Sequence, residues 1–284
     1  LPFCLLPFLP LLLSTGGELE LPSQSGALSR WSYLVTQVRM LVTYLRLLLL
    51  PIGQNLDYDY PTYNSLRDPV VLGSLLLLAS LTALAVWAFR RHRVLAFAIL
   101  WFFVTLSVTS SVIPILDVIF EHRLYLATLG YGLFLSYALL KIGEQGSRRM
   151  ALAVLFLLVA AYALAAHQRN RVWGDEVGLW RDCVAKSPRK ARPHNNLGLA
   201  LTEQGHSEEA VEVLRRAIAL KPNYPETHNN LGLAYEGLKR KEDALREYQR
   251  AVELNPKFPD AHINLGVLYE KGGQRAEAFK ELQL

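Results

Sequence analysis

The chain has 284 residues, 51% of them hydrophobic, and a formal net charge of +5 that divides into two small excesses rather than forming one basic face. Nucleic acid is therefore not expected as a partner. Cys4 and Cys183 form neither a CxxC pair nor a disulfide framework, and no Gly-rich phosphate loop, HExxH or GxSxG is present, which sets aside nucleotide hydrolysis, zinc proteolysis and serine hydrolysis.

The apolar residues crowd into 1–168, read as the C-terminal part of a multi-span membrane domain. Leu1–Leu13 is shorter than the ~20 residues a bilayer requires and is read as a partial span. The rival reading, a signal-peptide core, lacks the basic segment that should precede it. Next comes a helix over about 30–51, in which Ser32, Thr36, Arg39, Thr43 and Arg46 make a polar stripe opposite Leu34, Val38, Leu41, Leu45 and Leu48. Such a helix suits the membrane interface or the wall of a polar cavity. The following PIGQNLDYDYPTY, with Asp57 and Asp59 beside tyrosines, reads as an ordered turn at the interface or as a solvated loop.

Four hydrophobic spans are expected at about 70–89, 94–113, 124–142 and 150–166, paired into two hairpins. Arg90, Arg91, His92 and Arg93 connect the first pair, and Lys141, Arg148 and Arg149 the second. Positive connections stay inside, so the 14–69 loop, the loop between the hairpins and everything after Ala166 are expected to face outward. Within the second outward loop, IPILDVIFEHRLYLATLGY (Ile113–Tyr131) holds Asp117, Glu121, His122 and Arg123 between two apolar spans. Charge near hydrocarbon is expensive unless it meets water, a partner or a ligand, so this cluster is a candidate site. Arg123 offers a planar, permanently charged fork suited to phosphate, with His122 beside it; Asp117 and Glu121, one helical turn apart, form a supporting polar cluster.

From residue 191 the sequence recurs every 34 residues: HNNLGLAL at His194, HNNLGLAY at His228 and HINLGVLY at His262. Gly198, Gly232 and Gly266 keep step, as do Ala210, Ala244 and Ala278. Period and small-residue positions match the tetratricopeptide repeat, which places repeats at 191–224, 225–258 and 259–284, the last one truncated. Counting back one period makes 169–190 a connecting, degenerate repeat helix with Cys183 as a small core residue. His194, His228 and His262, one per repeat, lie too far apart to share a zinc ion at ~2 Å ligand distances, and no metal site is expected. Asn196, Asn230 and Asn264 also recur at one position. An amide there can read the backbone of an extended peptide, similar to the asparagine ladder of nucleocytoplasmic O-GlcNAc transferases, or can be ordinary repeat structure. The fold class is thus all-α: a polytopic transmembrane helical domain followed by a tetratricopeptide-repeat α-solenoid.

The order YLRLLLLPIGQNLDYDYP (Tyr44–Pro61), hairpin, SSVIPILDVIFEHRLYLATLGY (Ser110–Tyr131), hairpin, RNRVWGDEVGLW (Arg169–Trp180) and repeats resembles the GT-C glycosyltransferases with C-terminal tetratricopeptide repeats, including the transmembrane and tetratricopeptide-repeat protein O-mannosyltransferases. The resemblance implies transfer of a sugar from a polyprenyl-phosphate donor to a protein acceptor on the outer face, with no cofactor. It places Arg123 and His122 at the donor phosphate, the repeats at the acceptor or a partner, and the catalytic aspartate upstream of Leu1, so that the fragment by itself is expected to be inactive. Ala127 and Thr128 stand where members often have Pro-Ser. The expected location is a bacterial inner membrane with the repeats in the periplasm, or an organelle membrane with lumenal repeats. The competing expectation is a non-catalytic, membrane-anchored adaptor.

Overall fold

The computed structural model describes residues 29–109, 119 and 121–283, whose regular elements are all helices, with no strand among them. Leu1–Leu13, Cys4, Asp117 and the end of the expected 94–113 span lie outside the described residues. The chain divides into two compact units: residues 1–56 with 60–167, and residues 57–59 with 168–284.

In the first unit, α1 (Arg30–Leu49) begins where the Ser29 side chain accepts from the Ser32 amide, and it ends with Leu50 left between it and Pro51, whose ring disfavours a preceding helical residue. Its polar stripe has a definite use. Thr36 Oγ1 accepts from the Tyr63 amide at 2.9 Å, Thr43 Oγ1 shares a 2.7 Å hydrogen bond with the Tyr60 hydroxyl, and Trp31 Nε1 donates to the Asn64 carbonyl. The stripe thus receives residues 60–64 of the following loop, and both threonines are buried.

α2 (Pro69–Arg91) starts with Asp68 accepting from the Val70 and Val71 amides and with proline at its first position, a pairing that satisfies two of the orphan donors. Arg90 and Arg91 sit in its last turn, where cations suit the helix dipole. His92 alone separates it from α3 (Arg93–Thr109), and its imidazole shares a hydrogen bond with the Tyr137 hydroxyl. Small residues set the packing: Ala85, Ala88, Ala96 and Ala98 are buried, and Trp101 Nε1 donates to the Leu126 carbonyl beside Gly130. A Cβ on Gly130 would lie 3.0 Å from the Ala98 carbonyl oxygen, so the close approach of α3 to α4 (Tyr125–Gln145) depends on that glycine.

α5 (Arg148–Trp173) buries none of its residues. Its Tyr162 hydroxyl donates to the Leu49 carbonyl and accepts from Tyr131. Pro69–Arg91, Glu121–Gln145 and Arg148–Trp173 are long and apolar enough to cross a membrane, and Arg93–Ser107 is a shorter apolar helix. α5 continues past residue 166 and carries Arg169 and Arg171 near its end.

The second unit stacks α6 (Glu176–Lys186), α7 (Ala191–Glu203), α8 (Ser207–Leu220), α9 (Pro225–Gly237), α10 (Lys241–Leu254), α11 (Pro259–Lys271) and α12 (Arg275–Leu282). Asp175 caps α6, and Cys183 is fully buried in it. Each repeat places its second helix against a glycine of its first. Leu214 covers Gly198, the Tyr248 ring covers Gly232, and Leu282 covers Gly266, so that a Cβ at Gly232 would fall 2.5 Å from the ring. Leu197, Leu201, Leu214, Leu231, Tyr248 and Leu265 form a continuous core beneath these contacts. The turn inside each repeat needs one left-handed residue, supplied by Gly205, Lys239 and Gly273.

Candidate functional site

Glu121, His122 and Arg123 lie on a single 3-10 turn, Glu121–Leu124, running directly into α4. Glu121 Oε1 accepts from the Asn55 amide at 2.7 Å, which ties the turn to the loop after α1. His122 is exposed, whereas Arg123 is only 8% exposed. A cation in the first turn of a helix opposes the helix dipole and gains nothing from it. A buried guanidinium and the amides of a helix start do share one preference: an anion with several acceptor oxygens satisfies both. Glu121, His122 and Arg123 are therefore brought together on one turn, and Asn55 is a contributor that the sequence leaves unmarked because only its backbone takes part. Asp117 lies outside the described residues.

The asparagines form a staggered chain across the repeats. Asn230 Nδ2 donates to Asn195 Oδ1 at 3.0 Å and Asn264 Nδ2 donates to Asn229 Oδ1 at 2.9 Å, while Asn195 Nδ2 donates to Asn196 Oδ1. Asn230 is buried, and Asn196 and Asn264 are half-buried. The residue before each ladder position matters as much as the ladder residue, and the doublets Asn195–Asn196 and Asn229–Asn230 are the available signal. The register breaks at Ile263, which is exposed.

The repeat histidines hold the turns together. Nε2 of His194, His228 and His262 meets the carbonyls of Pro188, Pro222 and Pro256 at 2.9–3.1 Å. Nδ1 of His228 and His262 meets Glu247 and Glu281. With an acceptor at each nitrogen, the His228 ring fits best doubly protonated. Burial lowers the His228 pKa, but Glu247 and the Pro222 carbonyl outweigh it and leave the value raised. No cluster of three or more potential metal ligands occurs among the described residues.

A family model described as TPR repeat matches residues 198–239 and 238–273. The second unit is a tetratricopeptide-repeat domain. Among characterised relatives, the chain is 33% identical over 115 residues to Protein O-mannosyl-transferase Tmtc3 of Drosophila melanogaster, a match covering 39% of this chain and 12% of that protein. It is 39% identical over 102 residues to Protein O-mannosyl-transferase Tmtc2 of the same organism, covering 35% and 11%. With Protein O-mannosyl-transferase TMTC4 of Mus musculus, identity is 27% over 99 residues, covering 34% and 13%. The chain thus spans 11–13% of the length of these relatives, and the resemblance to repeat-bearing O-mannosyltransferases expected from its residues is met over about a third of it. Solved structures with similar helices include MamA, at 23% identity and a TM-score of 0.36, covering 50% of this chain and 89% of that one. A thermophilic TPR protein of Thermus thermophilus matches at 23% identity and a TM-score of 0.36, covering 51% and 84%.

Proposed function

We propose that this chain is part of a membrane glycosyltransferase that moves a sugar from a polyprenyl-phosphate donor to a protein hydroxyl on the outer face of the membrane. The observation that carries the proposal is the combination, in one chain similar to protein O-mannosyl-transferases, of apolar helices of membrane-spanning length with a tetratricopeptide-repeat domain. In this reading Arg123 and His122 hold the donor phosphate at the start of α4, and Glu121 with Asp117 supports them. Arg123 would stabilise charge as the lipid phosphate departs, a role that needs a preorganised cation at the depth where headgroups meet water. Asn196, Asn230 and Asn264 line the face on which the repeats hold an extended acceptor; the cross-repeat hydrogen bonds of Asn230 and Asn264, and that of Asn196 to Asn195, fix the amides in place before the acceptor arrives.

The test is sugar transfer by a longer protein that contains this chain, purified with and without substitution. Arg123→Lys keeps the charge and loses the fork, and should retain folding while turnover falls ~10- to 1000-fold, the range for removing one such donor. Transfer at the parental rate by Arg123→Ala would remove the phosphate role and leave the turn as structure.

A further inference from the structure

Residues 57–59 belong to the repeat unit although their sequence neighbours on both sides do not. The Asp57 carboxylate is 2% exposed, with one oxygen 2.6 Å from Lys190 Nζ and the other 2.6 Å from Arg192 Nε. Ser187, itself fully buried, grips the main chain on either side of Tyr58: its hydroxyl donates to the Asp57 carbonyl at 2.6 Å and accepts from the Asp59 amide at 2.8 Å. Arg189 Nε adds a 2.9 Å contact to the Asp59 carboxylate at the exposed rim.

The repeat unit has reason to take up an acid here. Lys190 occupies the position before α7 without a side-chain cap, and Arg192 lies in the first turn, so two cations stand at the positive end of a helix dipole. A carboxylate placed between them pairs with both, halves their net charge and suits the helix start. Lys221 and Tyr224, at the end of the same repeat, lie within electrostatic range of Arg192, and Glu226, at the start of the next, acts on both of them. Burial pushes the Asp57 carboxyl up, yet the hydrogen bonds from Arg192 and Lys190 prevail and hold it below the usual aspartate range.

We propose that Ser187, Arg189, Lys190 and Arg192 form a receptor for an extended acidic segment of the pattern Asp-X-Asp, and that its resident ligand is this chain's own Asp57–Asp59. The first aspartate is the anchor, because both of its oxygens are buried and paired. Ser187 grips the main chain on both sides of the middle residue, a hold that does not depend on that residue's side chain. The last aspartate adds little, because exposed ion pairs contribute weakly. A buried carboxylate paired with two cations is costly to leave half-made, so the receptor should discriminate strongly at the anchor.

The test uses the whole chain in detergent micelles and a fluorescent peptide of sequence QNLDYDYP, that of Gln54–Pro61. Asp57→Ala/Asp59→Ala vacates the receptor and should bind this peptide at least ~10-fold more tightly than the parent, whose receptor is filled. Adding Arg192→Ala, or replacing the first aspartate of the peptide by asparagine, should remove at least ~10-fold of that affinity, and replacing the second aspartate only a few-fold. Equal binding to parent and variant, no binding to a variant of unchanged helical circular dichroism, or binding indifferent to Arg192→Ala would each overturn the proposal. Should the double variant fail to fold, hydrogen exchange on the parent decides. The amides of Asp59, Ser187 and residues 189–192 should lose protection together only at pH below the ordinary aspartate value of ~3.9, because the anchoring carboxyl protonates below that value. Loss at one segment without the other would contradict the proposal.

Discussion

Large apolar side chains are placed differently in the two units. In the first, Leu72, Leu76, Val86, Phe89 and Phe156 are exposed, while buried alanines, a close-packed glycine and hydrogen-bonded threonines and tyrosines share the helix contacts with a few buried large residues such as Phe102 and Leu106. In the second, Leu197, Leu201, Leu214 and Leu231 are inside, and charged pairs such as Arg181–Glu209 and Lys271–Glu236 cover the outside. The helices obey one geometry, but burying leucine gains free energy only where the alternative is water. Where the surroundings are hydrocarbon, close packing of small residues and satisfied polar groups take over.

The largest effect should come from charging the outward face of the first unit. Phe156 in α5 is 72% exposed, and Phe156→Arg near the middle of a span should cost about 2.5–3.5 kcal/mol of insertion, read as the fraction of α5 integrated into microsomes. Ile263 in α11 is 50% exposed, yet Ile263→Arg should change repeat stability by no more than about 0.5 kcal/mol in thermal unfolding. Equal sensitivity at the two sites would erase the distinction between their surroundings.

Next in size is a packing contrast. Gly232→Val would force the Tyr248 ring aside and should destabilise the repeats by about 1–3 kcal/mol, whereas a Cβ at Gly132 of α4 meets nothing within 4 Å, so Gly132→Ala should be silent. Denaturant titration of each variant measures both.

A smaller effect should follow pH. The folded His228 pKa is raised, so its contribution is fully present below the unfolded value of about 6.5 and is lost as the pH rises through the higher folded value. The parental repeats should therefore lose melting temperature across that window, and His228→Gln should flatten the loss. The smallest effect is a gain. Lys239 holds a left-handed conformation that Gly205 and Gly273 supply at the matching turns, so Lys239→Gly should stabilise by up to about 1 kcal/mol.

The repeats are legible because their period is a property of spacing: one glycine, one alanine and one histidine every 34 residues need no partner elsewhere to be recognised. The apolar helices are legible from composition. What the sequence conceals are contacts between distant residues. The polar stripe of α1 reads as a face for headgroups or a cavity, but Thr36 and Thr43 hold residues of the loop that follows. Asp57 reads as a loop residue because Lys190 and Arg192 lie more than a hundred positions away. At the candidate site, the type and place of Arg123 are readable, while the Asn55 contact to Glu121 is not, since a backbone amide leaves no mark on residue identity.

The proposed transfer requires the Glu121–Arg123 turn and the repeats to share one side of the membrane, with the Arg90–Arg93 connection on the other. The most direct measurement is labelling of single cysteines in intact cells by an impermeant maleimide, after Cys4 and Cys183 are replaced by serine. His122→Cys and Glu208→Cys should both be labelled, and Arg91→Cys only after the membrane is permeabilised. Labelling of Arg91→Cys in intact cells together with protection of Glu208→Cys would contradict the account.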